Sequence, residues 1–61
     1  MNEVLTVGEI AVLLRLHPST IYKMVRCGEL PAFRLGSGLR FTRVRIEEWL
    51  ESRIRAAESD P

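Results

Sequence analysis

One cysteine, one histidine and four aromatic side chains among 61 residues close off several routes by which a short chain can be held together. A single cysteine cannot form an internal disulfide, and with a single histidine it cannot complete the four-ligand set of a structural zinc site. Long apolar runs are missing too. No stretch of eighteen apolar residues supports a membrane span, and no secretory leader pattern is present. A lone thiol suits a reducing compartment, so the expectation is a cytoplasmic protein with no cofactor, no metal and no membrane partner. A chain of this size buries only about 60% of the surface its unfolded form exposes, which leaves one small apolar core to carry stability. Repeats and low-complexity segments are absent. The reading is a single domain over residues 1–57, with 58–61 as a frayed tail.

Catalytic constellations are lacking as well. Glu47, Glu48 and Glu51 are neighbours on one helical segment, where carboxylates ordinarily face water. Cys27 has only Arg26 beside it as an activating neighbour. The chain reads as a non-enzyme with no site for a small-molecule effector.

What is present is an uneven distribution of charge. The formal net charge is +1. Residues 15–45 hold seven basic side chains (Arg15, Lys23, Arg26, Arg34, Arg40, Arg43, Arg45) against one acid, Glu29, a local balance of +6. Residues 1–14 carry −2 and residues 46–61 carry −3. A nearly neutral chain with one strongly basic segment has the electrostatic footprint of a nucleic-acid binder.

Local signals organise that segment. Thr6-Val-Gly-Glu9 is a capping box, and Leu5 and Ile10 stand where a hydrophobic staple needs them. Ile10, Ala11 and Leu14 then share one helical face. Arg15-Leu16-His17 is a short turn with His17 as the next helix cap. Pro18 opens a second helix, because its missing N–H is not required in a first turn. Within it Ile21, Val25 and Met24 face inward, while Ser19, Thr20, Tyr22, Lys23 and Arg26 face outward. Gly28 ends that helix and Pro31 prevents its resumption. Ala32–Leu35 and Leu39–Thr42 alternate around Gly36-Ser-Gly38 as a β-hairpin, with Phe33, Leu35, Leu39 and Phe41 apolar and Arg34 and Arg40 pointing the other way. A third helix is expected from about Arg43 to Ala57, its stripe of Ile46, Trp49, Leu50 and Ile54 turned to the core. If Thr42 caps it, Arg43 and Arg45 occupy a first turn where cations are unfavourable by ~0.3–1 kcal/mol each, unless an anionic phosphate is bound there.

Leu5-Thr-Val-Gly-Glu-Ile-Ala, Ser19-Thr-Ile-Tyr-Lys, Gly28-Glu-Leu-Pro-Ala, Arg34-Leu-Gly and Ile46-Glu-Glu-Trp-Leu resemble the excisionase-type helix-turn-helix family, a MerR-like winged-helix group. The resemblance implies a mainly α fold with a small β-hairpin. It also implies that the second helix enters the major groove while the hairpin flanks it as a wing. It assigns DNA contacts to Ser19, Thr20, Tyr22, Lys23 and Arg26 on the helix and to Arg34 and Arg40 on the wing; the helix-start argument adds Arg43 and Arg45.

A helix of ten residues is ~15 Å long and reads only a few base pairs across a ~12 Å groove. One copy cannot select a genomic site at ~1–3 kcal/mol per base pair. With the last helix committed to its own core, side-by-side binding on repeated sites is the expected solution. That suits an excisionase, which lays several copies on double-stranded DNA, bends it and directs an integrase. A small transcriptional regulator is the alternative, and an adaptor whose basic face binds an acidic protein is a third.

Overall fold

In the computed structural model, residues 3–59 are described. The element order is β1 (Val4–Thr6), α1 (Val7–Leu14), α2 (Pro18–Arg26), β2 (Phe33–Leu35), β3 (Gly38–Thr42) and α3 (Arg43–Ser59). Both reciprocal bonds of the capping box form at α1. The Glu9 amide donates to Thr6 Oγ1 at 3.2 Å and the Thr6 amide donates to Glu9 Oε1 at 2.9 Å. The first two helices end alike. Leu16 N–H donates to the Ala11 carbonyl and Glu29 N–H to the Met24 carbonyl, each across a left-handed residue, Arg15 (φ 57°) and Gly28 (φ 76°). This closure satisfies carbonyls that a helix end would otherwise leave bare.

Leu5, Val7, Ile10, Ala11, Ile21, Leu30, Phe41 and Ile46 form the buried core. Every major element except β2 contributes to it, and Ala11 gives α1 and α2 the small contact a close crossing needs. Leu14, Met24, Val25, Leu39 and Trp49 pack around its edge.

Two expectations are corrected in the strands. First, residues 4–6 are not merely a staple before a helix. They form β1, which pairs antiparallel with β3, so the sheet has three strands in the order β1-β3-β2. Three residues are too few for alternation to reveal a strand in sequence. Second, the hairpin turn is Gly36-Ser37, two residues rather than three, with Leu35 opposite Gly38 and Gly36 at φ 62°. Glycine first in a two-residue turn is the type II′ pattern, which matches strand twist.

The turn length changes which side chains share a face. Directly opposed residues lie on the same side of a sheet, so Phe33 joins Arg40, and Arg34 joins Leu39. Leu39, Phe41 and Leu5 face the core, with Arg34 on their side at the tip of the hairpin. Phe33 and Leu35 therefore stand on the uncovered outer face, 40% and 53% exposed. The expected grouping of four apolar residues against two arginines does not occur. It required a three-residue turn.

The last helix departs in a similar way. It continues to Ser59, two residues past the expected end, while 60–61 lie outside the described residues. Ile46 is fully buried and Trp49 packs at the core edge. Leu50 and Ile54 are exposed at 38% and 47%, because the second half of α3 runs past the core and has nothing above it. All residues from 51 to 59 are exposed. Arg53 ties the helix back, reaching Glu29 at 3.4 Å and lying 5.4 Å from the Trp49 ring centroid. The result is a winged helix-turn-helix: α1 and α2 cross at the core, the hairpin flanks them, and α3 leaves the domain as an arm. No helix among the described residues is long and apolar enough to cross a membrane.

Candidate nucleic-acid interface

The nine predicted contact residues separate into groups once folded. Ser19, Tyr22, Lys23 and Arg26 recur at helical spacing along one side of α2 and are all exposed, Tyr22 by 51%. Their common direction follows from Ile21, which is fully buried and fixes the rotation of the helix about its axis. Thr20 lies about 100° round from Ser19 and is half-buried, at the flank of this row rather than on it. No acidic side chain belongs to α2, and Lys23 and Arg26 sit in its last turns, where the helix dipole favours cations.

Four of the predicted arginines lie beyond α2, and the structure uses each differently. Arg34 stands on the helix side of the sheet and is exposed. Arg40 stands on the opposite face and is half-buried; its guanidinium folds back so that Nη1 donates to the Leu39 carbonyl at 2.8 Å. Gly38 makes that fold possible, since a Cβ there would come within 2.7 Å of the same nitrogen. Arg43 donates through Nε to Glu3 at 2.6 Å. The Glu3 hydrogen bond and charge, with Glu47 and Glu9 adding to them, raise its pKa further above the ordinary arginine value. Its charge is thus answered within the chain. Arg45 is exposed and borders a cleft of about 430 Å³ with Pro31, Ala32, Phe33 and Thr42. The Arg45 amide reaches Thr42 Oγ1 at 3.4 Å, so Thr42 does cap α3 as the sequence suggested.

His17 caps α2. Its Nδ1 accepts from the Ser19 amide at 3.1 Å and lies 2.8 Å from Ser19 Oγ. Sequence reasoning identified the cap but not this side-chain pair, which depends on the ring orientation that the extended His17 backbone allows. Cys27 is exposed and unpaired beside Gly28. No cluster of potential metal ligands occurs among the described residues.

A compact helix pair with an exposed basic ridge and a flanking hairpin now has a counterpart among known domains. The profile described as "Helix-turn-helix domain" matches residues 4–54. The chain belongs to that helix-turn-helix family. The matched span takes in β1 through most of α3, so the family unit is the fold described above and not the helix pair alone. Two curated relatives, from two strains of Mycobacterium tuberculosis, each carry the name "Putative DNA-binding protein". Each is 40% identical over 51 residues, covering 84% of this chain and 65% of the relative. The chain thus spans somewhat less than two thirds of the length of these relatives. No solved structure matches it significantly.

Proposed function

We propose that this helix-turn-helix protein binds double-stranded DNA, with α2 in the major groove and the hairpin as a wing beside it. The carrying observation is the row Ser19, Tyr22, Lys23 and Arg26: exposed, on one side of one helix, and free of acidic neighbours in that helix. Nine residues of helix span ~13.5 Å, close to the width of a major groove. Tyr22 supplies a flat ring and hydroxyl for sugar and phosphate. Lys23 and Arg26 supply charge, and Ser19 lies nearest the end of the helix that reaches base edges in such motifs. Arg34 shares the helix side of the sheet and extends the positive surface onto the wing.

The finer role we assign is excisionase-like: several copies on adjacent sites, bending DNA for an integrase. The size of the reading surface favours it, since one short helix specifies few base pairs. Copies also have apolar surface to offer one another, because Leu50 and Ile54 are exposed rather than consumed by the core. A small transcriptional regulator would use the same surface; an integrase gene beside this one would favour excision. Duplex titration against salt tests the binding itself. With three or four phosphate contacts the log-log slope lies near ~−3 to −4, and a slope near zero removes the electrostatic reading. Sedimentation tests the assembly. A stable dimer in the absence of DNA would replace cooperative loading with a preformed pair.

A further inference from the structure

The pair His17 and Ser19 at the head of α2 restricts what Ser19 can recognise. The backbone amide of Ser19 donates to His17 Nδ1 at 3.1 Å, so Nδ1 carries a lone pair and the ring proton resides on Nε2. Ser19 Oγ lies 2.8 Å from the same nitrogen. An unprotonated Nδ1 cannot donate to it, so the hydrogen in that contact is the hydroxyl's own. Serine has one hydroxyl hydrogen and two acceptor lone pairs. With the hydrogen directed to His17, the exposed side of Ser19 Oγ offers lone pairs only.

We infer that His17 holds Ser19 as a pure hydrogen-bond acceptor, and that Ser19 thereby reads an exocyclic amino group, adenine N6 or cytosine N4, in the major groove. This rests on the reading of α2 as the groove helix. A phosphate oxygen has no hydrogen to give, so Ser19 so held is no phosphate contact. Guanine N7 and O6 and thymine O4 are acceptors and meet its lone pairs unfavourably; only the amino groups of adenine and cytosine donate in this groove. Ser19 is the second residue of α2, after Pro18, at the N-terminal end that approaches base edges in such motifs, and it shares one side of the helix with Tyr22 and Lys23. His17 is a positioning residue in this scheme, acting through Ser19 without touching the base.

The test uses the whole chain and a duplex enriched from a random pool by the unaltered protein. Each adenine in turn is replaced by purine, which lacks the 6-amino group, and each cytosine by 2-pyrimidinone, which lacks the 4-amino group. Affinity is then measured at fixed salt. At one position, loss of the amino group weakens binding by about tenfold, the discrimination typical of a specific base contact. Ser19→Ala abolishes that difference. His17→Ala also reduces it to less than about twofold, because the freed hydroxyl can turn. His17→Asn retains it, since an amide oxygen can both cap the helix and accept from Ser19. A purely structural role for His17 would lower affinity for all duplexes alike and leave the amino-group difference intact in His17→Ala, which overturns the inference. So does a duplex series in which no amino deletion depends on Ser19. Should His17→Ala not fold, His17→Gly takes its place, since glycine is tolerated at a helix N-cap and equally leaves the Ser19 hydroxyl free to turn. Failure of the unaltered protein to bind any duplex would overturn the groove-helix reading, and this inference with it. Salt-sensitive binding without Ser19-dependent discrimination would overturn this inference alone.

Discussion

Helix α2 and the hairpin carry similar side chains, basic residues interleaved with apolar ones, and the fold treats them differently. In α2 the basic and apolar sets end up on opposite sides, as their spacing implies. In the hairpin they are mixed: Phe33 shares a face with Arg40, and Arg34 shares one with Leu39 and Phe41. The helix has a period set by its own backbone hydrogen bonds, so facing is decided within a few residues. A strand's facing relative to its neighbour depends on register, and register depends on turn length. A turn one residue shorter than expected, with Gly38 already in β3, sent half of the hairpin's apolar side chains to the outside.

The two phenylalanines of the hairpin give the sharpest version of that contrast. Phe41→Ala, at a fully buried site, should cost ~3–5 kcal/mol of stability. Phe33→Ala, on the outer face, should cost under about 1 kcal/mol. Urea unfolding of the two variants measures this directly, and equal losses would mean that the register is not the one seen.

On α2 the effect should appear in binding and not in folding. Lys23→Ala combined with Arg26→Ala is expected to weaken duplex affinity by roughly 30- to 100-fold and to lower the salt slope by ~2. The melting temperature should hardly move, because both side chains are exposed. A collapse in stability would place them on the wrong side of the helix.

Within the wing the two arginines should part company. Arg34→Ala should reduce affinity by about fivefold, as expected for one phosphate contact on the side of the sheet shared with α2. Arg40→Ala should change it by less than about twofold, since its guanidinium is turned back onto the Leu39 carbonyl on the other face. Parallel titrations with equal losses would return Arg40 to the interface and undo the distinction between the faces.

The smallest effect concerns Arg45, in the first turn of α3. Arg45→Asp should raise stability by ~0.3–1 kcal/mol by reversing an unfavourable charge near the helix N-terminus. The same change should weaken DNA binding severalfold, because a carboxylate would then face phosphate, and unchanged affinity would remove Arg45 from the interface. Thermal melts paired with titrations separate the two effects. Arg43 is a poor companion for this experiment, because its pairing with Glu3 makes its replacement a loss of contact between the residue preceding β1 and the start of α3.

Much of the domain was legible in order. The capping box at Thr6 and Glu9, the Pro18 helix start, the Gly28 helix stop and the Thr42 cap are local devices, each completed within three or four residues. They appear in the structure where the sequence places them. The outward row of α2 was legible for the same reason, and with it the core of the candidate site. β1 was not, since three residues become a strand only when β3 is there to pair with them. Leu50 and Ile54 misled because their stripe is helical and apolar, yet whether a stripe is covered depends on where the rest of the chain stops.

The sequence by itself determined the helices, the ends of α1 and α2 and the start of α3, the polarity of charge and the rotation of α2 about its axis, because all of these arise from hydrogen bonds and side-chain spacing within a turn or two. Tertiary structure alone decided the three-stranded sheet, the opposite facing of Arg34 and Arg40, the capture of Arg43 by Glu3 and the bare second half of α3. The sheet and the Glu3–Arg43 pair join segments far apart in the chain, the latter by forty residues, while the facing of the two arginines follows from hairpin register and the bare half of α3 from where the core closes. Local propensity has no range over such distances; strand register and core closure do.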